Sequence, residues 1–171
     1  MRSILVGAAC LSAAAVQAQV PQTVDPGQIP YYKLIAPGIV AAGQPATEAL
    51  TKLGSMGFKT VINLRPAGEG GPANERELVE SQGLRYVSVP FTAATFSLAE
   101  VEAVEKVLND SAAGPVLFHC ASSNRVGGAW AAVLARRGQS LDEALAKGRE
   151  AGLKGGAMEE AVKRVLAAPV R

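Results

Sequence analysis

The sequence predicts an α/β domain: a three-layer arrangement in which a largely parallel central sheet is flanked by helices. Three observations carry this. Short apolar, β-branched runs alternate with segments of helical periodicity. Gly and Pro punctuate nearly every junction between them. The chain has 171 residues, 49% hydrophobic and 19% charged, which suits one ordinary domain with a packed core and argues against two.

The elements follow in order. Residues 1–18 (MRSILVGAACLSAAAVQA) place Arg2 before an apolar run from Ile4 to Val16, with small residues at the end. This is the pattern of a secretory signal peptide with cleavage after Ala18, and the run is short for a membrane span. A retained anchor is the competing reading. The expectation is a periplasmic or secreted protein whose mature chain has no membrane span. Residues 19–30 (QVPQTVDPGQIP) hold three Pro and one Gly without periodicity and read as a linker. Residues 31–171 form the domain.

Tyr31 to Ile35 and Ile39 to Ala42 are short extended segments split by Pro37-Gly38. Leu50, Leu53 and Met56 give helical spacing over 47–56, with Thr47 as N-cap. Phe58 to Leu64 (FKTVINL) is a buried strand, followed by the Gly-rich loop RPAGEGG. A helix is expected over 72–82, ended by Gly83, and a strand over Leu84 to Val89. Ser97 to Leu108 has Leu98, Val101, Val104 and Leu108 on one face and a capping box, Ser97 with Glu100. Pro115 to His119 is a third buried strand. Val126 to Arg137 is apolar nearly all round and reads as a central helix, with Gly138 at its C-cap. Ser140 and Glu143 form a second capping box, and a last helix covers Met158 to Ala167.

In such sheets a ligand sits beyond the carboxyl ends of the strands. Three loops leave those ends, over 65–71, 90–96 and 120–125, and they are expected to meet at one crevice. Composition narrows the chemistry there. There are 17 basic and 15 acidic residues, interspersed, so no basic stripe marks a nucleic-acid binder. One His and two Cys cannot build a Cys/His zinc site or a two-His metalloprotease helix. Any His-dependent chemistry uses His119. Cys10 leaves with the signal peptide, so Cys120 is the thiol of the mature chain and has no disulfide partner within it.

The segment 115–128 is PVLFHCASSNRVGG. A buried strand delivers Cys120, a short polar loop follows, and Arg125 opens a buried helix. Loop N–H groups ahead of a helix can turn inward as an anion cradle. Arg125 adds a planar fork for two oxygens of an oxyanion. The same field favours the thiolate of Cys120, the nucleophilic species. Ser122 and Ser123 can donate to the sulfur or to the anion. Gly127 and Gly128 near the start of the helix indicate close backbone packing.

His119-Cys120, the four residues Ala121, Ser122, Ser123 and Asn124, and then Arg125 resemble the phosphate-binding loop of the protein-tyrosine and dual-specificity phosphatases, which has five intervening residues. The shorter loop, TVINLRPAGE at 60–69, PVLFHC at 115–120, and the run from Gly83 through Tyr86 to Pro90 are similar to one bacterial family, the β-lactamase hydrolase-like phosphatase-like domains. The likeness runs from about Tyr31 to Ala135. It implies a dual-specificity-phosphatase-like fold and a Cys-dependent phosphomonoesterase. Cys120 would form a phosphocysteine, and Arg125 with the amides of Ala121, Ser122, Ser123 and Asn124 would bind phosphate. His119 would orient the loop or tune the thiolate. Arg65 would be a second anion contact or the partner of Glu69. Substrates would be a phosphorylated protein or a small phosphoester; no cofactor or metal is implied, and oligomeric state is not read from the sequence. The family usually has Gly where this chain has Ser123, and Gly takes positive φ without cost.

The superfamily protonates its leaving group with an Asp from a neighbouring loop. Asp25, Asp110 and Asp142 are the chain's only three, and none lies in 90–96. Asp110 falls near the amino end of the Cys strand, Glu100 is explained by its capping box, and Glu69 and Glu75 remain. General acid catalysis is worth about 10²–10⁴-fold, so slow turnover or good leaving groups are expected. Two other readings fit the loop: a rhodanese-like sulfurtransferase with a Cys120 persulfide, and a non-catalytic anion-binding module.

Overall fold

The computed structural model describes residues 20–168. The expected signal peptide and its cleavage point lie outside the described residues. Strands are β1 (Lys33–Ala36), β2 (Ile39–Ala42), β3 (Thr60–Asn63), β4 (Arg85–Ser88) and β5 (Val116–His119). Helices are α1 (Thr47–Leu50), α2 (Glu75–Glu80), α3 (Leu98–Leu108), α4 (Asn124–Arg136), α5 (Leu141–Glu150) and α6 (Gly156–Ala167). The strands join in the order β1-β2-β5-β3-β4. All pairings are parallel except β1 with β2.

The period of two along each strand sorts side chains to opposite faces. Ala41, Ile62 and Phe118 point to the core built by α3 to α6. Val40, Ala42, Val61 and Leu117 point to a second core under α1 and α2. Central strands buried on both faces are why β3 and β5 read as unbroken apolar runs. The expected three-layer, largely parallel architecture is the one observed. Both capping boxes form, at Ser97–Glu100 and at Ser140–Glu143.

Several boundaries differ from expectation: the helix expected over 72–82 spans Glu75–Glu80, the last helix starts at Gly156 rather than Met158, and the first strand is Lys33–Ala36. Three further differences bear on packing and the site. The segment read as a linker packs onto the domain over its described part, 20–30. Val20 and Ile29 are buried, Tyr32 donates to the Pro21 carbonyl at 2.6 Å, and the Gln28 carbonyl accepts from Ala46 N at 2.8 Å. Two apolar anchors spaced along an irregular strap carry no period that sequence reading could detect. The helix expected over 47–56 stops at Leu50, although Leu53 is still fully buried. The turn brings Gly54 against Leu84 and Gln82, where a Cβ would lie 3.1 Å from Leu84 Cδ1. The central helix begins at Asn124, two residues earlier than Val126, which sets Arg125 in its first turn.

Candidate active site

β5 lies between β2 and β3, so its last residues emerge at the middle of the sheet's carboxyl edge. Cys120 follows it and is buried, with 1% of its surface exposed. Backbone bonds fix the exit: Cys120 N to Ala42 O (3.3 Å), Leu64 N to His119 O (3.0 Å) and Gln44 N to Ala121 O (3.1 Å). Among the described residues, the N–H groups of Ala121, Ser122, Ser123 and Asn124 donate no backbone bond. They are the donors that an anion cradle needs.

Ser123 sits at φ +63°, the left-handed region where the family usually has Gly. Its hydroxyl compensates by donating to the Ala151 carbonyl at 2.8 Å, and the residue is fully buried. Asn124 Oδ1 accepts from Lys154 N at 2.8 Å. Two loop side chains are thus tied to the turn between α5 and α6. Gly127 allows that turn to approach: a Cβ there would stand 2.2 Å from Leu153 N and 2.4 Å from Gly148 O. The close packing expected of Gly127 is present, and it supports the loop from below.

Arg125 draws the three expected loops together. Its Nη1 donates to the Phe91 carbonyl at 3.1 Å and lies 3.5 Å from the Leu64 carbonyl. Nη1 and Nη2 also donate to the two Glu69 oxygens at 2.8 and 2.5 Å. Burial works against the Arg125 charge, but Glu69 and the neighbouring sulfur of Cys120 outweigh it and the pKa rises. The hydrogen bond from Arg125 holds the Glu69 carboxyl below its ordinary value.

Beneath the loop lies a polar cluster centred on Glu75. Its Oε1 accepts from Asn63 Nδ2 (2.9 Å), Tyr86 OH (3.0 Å) and His119 Nε2 (3.0 Å), and its Oε2 accepts from Gln44 Nε2 (2.7 Å). Burial alone would raise the Glu75 pKa; the contacts to His119, Gln44 and Tyr86 reverse this and hold it at about 2. An ionised carboxylate only accepts, so His119 Nε2 carries the proton. Burial, with the adjacent Glu75 charge, pushes Tyr86 up to about 12. Arg65 is buried too, donates to Gln44 Oε1, and lies 3.9 Å from both Glu69 and Glu75.

The structure therefore gathers Cys120, the 121–124 loop, Arg125, His119, Arg65 and Glu69 at one edge. Glu69 pairs closely with Arg125 and only distantly with Arg65. Glu75 is enclosed by donors rather than aimed at the cleft. Asp110 pairs with Arg85 at 3.0 Å, at the amino end of β4 and away from the site. Gln44, Asn63 and Tyr86 are the members of the cluster that the sequence reading did not assign. A polar residue ending an apolar strand, as Asn63 does, was the available signal.

A mainly parallel sheet whose central strand ends on a buried Cys, with an Arg returning over it from the next helix, defines a phosphatase-like domain of the Cys-dependent kind. A profile of the family described as "Beta-lactamase hydrolase-like protein, phosphatase-like domain" matches residues 31–137. The chain belongs to that family. A β-lactamase hydrolase-like protein of Agrobacterium fabrum is 34% identical over 108 residues, covering 61% of this chain and 24% of that protein. One from Xylella fastidiosa is 32% identical over 91 residues, covering 51% and 21%. The chain thus spans about a quarter of the length of these relatives. The fold is shared with the core catalytic domain of the PP-IP phosphatase SIW14 of S. cerevisiae (TM-score 0.64, 16% identity, 78% of this chain and 83% of that one). It is shared also with P. aeruginosa TpbA (TM-score 0.63, 22% identity, 91% of each chain).

Proposed function

We propose that this domain is a phosphomonoesterase that works through a phosphocysteine on Cys120. The observation that carries the reading is the convergence of Cys120, unbonded loop amides and the Arg125 fork at the carboxyl edge of the sheet. The substrate phosphoryl group would lie on the amides of 121–124 with two oxygens toward Arg125. Cys120 Sγ attacks phosphorus, the leaving oxygen departs with its electron pair, and water then releases phosphate from sulfur. His119, fixed by Glu75, positions the loop from the strand side. No Asp stands over the site, so the leaving oxygen has no aspartic proton donor in the 90–96 loop, and esters of acidic alcohols should turn over fastest. Phosphorylated proteins and small phosphoesters both fall within this chemistry.

Purified protein assayed with p-nitrophenyl phosphate should show slow turnover that Cys120→Ser abolishes. Thiocyanate release from thiosulfate and cyanide, with no phosphate release, would instead establish a sulfurtransferase. Phosphate binding that survives Cys120→Ser in a chain with neither activity would leave an anion-binding module. We also propose export, on the pattern of residues 1–18. Recovery of chain beginning at Gln19 from a periplasmic fraction supports it; recovery of the uncleaved chain from the cytosol overturns it.

A further inference from the structure

The loop between β3 and α2 carries an anion of its own into the anion site. Glu69 meets Arg125 with two oxygens on two nitrogens, at 2.8 and 2.5 Å. This is the geometry in which a guanidinium takes two oxygens of a phosphate. The same Glu69 Oε2 lies 3.9 Å from Arg65 Nε. That nitrogen is buried and has no hydrogen-bond partner among the described residues. The Arg65 side chain is only 7% exposed, whereas that of Glu69 is 33% exposed. A buried, unpaired donor therefore faces a carboxylate held from the solvent side. Charges alternate across the site: Glu75, Arg65, Glu69, Arg125.

The backbone that brings Glu69 there is unlike the rest of the site. Gly68, Gly70 and Gly71 stand at φ +87°, +79° and +85°. A Cβ at Gly68 or Gly70 would meet nothing within 4 Å. Gly71 closes the turn against the Arg65 guanidinium, where a Cβ would stand 2.6 Å from Nη1. The tip over 68–70 is not packed, so the Glu69–Arg125 pair is what ties the tip to the site, and the tip can swing away without opening a core.

We propose that Glu69 is an internal competitor for the phosphate site: its carboxylate closes the Arg125 fork beside Arg65 in the free protein, and a substrate oxyanion binds by displacing it. This rests on the reading of the 120–125 loop as a phosphate site. It makes Glu69 a determinant of affinity rather than a proton donor. A ligand that needs an open fork has its apparent affinity reduced by the fraction of molecules in which the fork is open. That factor is the same for every anion that displaces Glu69, whatever its charge.

The test is the dissociation constants of inorganic phosphate and of inorganic sulfate for the full chain, measured by titration calorimetry alongside steady-state kinetics. Variants are Glu69→Gln, Glu69→Ala and, as a control for loss of one negative charge, Glu77→Gln on the exposed face of α2. Both Glu69 variants should bind phosphate and sulfate about tenfold more tightly, by the same factor for each, while Glu77→Gln changes neither. Unchanged binding in the Glu69 variants overturns the proposal, as does an equal gain in Glu77→Gln. A fall in kcat with unchanged binding also overturns it, since Glu69 would then act on the reaction. If wild type and variants alike bind no phosphate, the phosphate-site reading itself fails. Unchanged circular-dichroism melting of both Glu69 variants shows that the comparison is between folded chains.

Discussion

Two loops flank the Cys120 loop, and they are built on opposite principles. The loop over 90–97 is locked. Phe91 and Phe96 are buried with ring centroids 4.6 Å apart. Thr92 and Thr95 bond each other's backbone and side chains. Arg164 reaches from α6 to donate to the Ala93 and Phe96 carbonyls at 2.9 and 3.2 Å. The loop over 66–74 has three positive-φ glycines and mostly exposed residues until Glu75 anchors it. The locked loop is where the superfamily's acid would be expected, and it offers no carboxylate. The free loop holds Glu69, the carboxylate that reaches Arg125. In this domain the adjustable chemistry sits on the β3 side of the site, while the β4 side forms a fixed wall.

The largest effect is expected where the free loop becomes fixed. Glu75→Ala removes the acceptor shared by Asn63, Tyr86, His119 and Gln44, leaving buried donors unpaired. Breaking a buried charged network in this way costs about 3–5 kcal/mol, read as a fall in the urea midpoint. A loss below about 1 kcal/mol would mean that Glu75 is not the anchor.

The pH dependence has a definite sign. The Glu75 pKa is about 2 in the fold against an ordinary 4.5. A depressed carboxyl pKa contributes stability that is fully present above 4.5 and is lost as pH falls toward about 2. Urea melts at several pH values across that window should show an acid-side decline in wild type. Glu75→Gln should remove that part of the decline, because the amide does not titrate there.

A smaller effect belongs to the locked loop. Arg164→Ala deletes two charge-assisted bonds, about 1–2 kcal/mol together, and should speed amide exchange at Thr95 and Phe96. Unchanged exchange there would show that aromatic packing alone holds the wall. The smallest belongs to the free loop. Gly70→Ala introduces a side chain at φ +79° into open space, a cost of about 1 kcal/mol. Amides of 67–71 should already exchange fast in wild type, and strong protection there would erase the contrast between the loops.

Much of the fold was legible because its signals are local. Apolar runs marked β3 and β5, and the Ser97–Glu100 and Ser140–Glu143 pairs marked two helix starts. The Cys120–Arg125 loop was legible because its parts are adjacent in sequence. The strap over 20–30 was not, since Val20 and Ile29 reach the core without a periodic pattern. Nor was the partner of Glu69: sequence proximity favoured Arg65, and the fold gave it Arg125, 56 residues away.

By itself, then, the sequence determined the order of elements, the phosphatase-like family pattern and the identity of the loop residues. These depend on periodicity, capping and contiguous chemistry. Only the tertiary structure decided how the carboxylates are used. Glu75 and Glu69 are both acids in or after one loop, and nothing local separates them. Burial among donors from four other segments fixes Glu75 as an ionised anchor, while a glycine turn with an open tip leaves Glu69 half-exposed against Arg125. Ser123 follows the same logic. Its cost at positive φ is local, and the Ala151 carbonyl that offsets it arrives only when α5 packs onto α4.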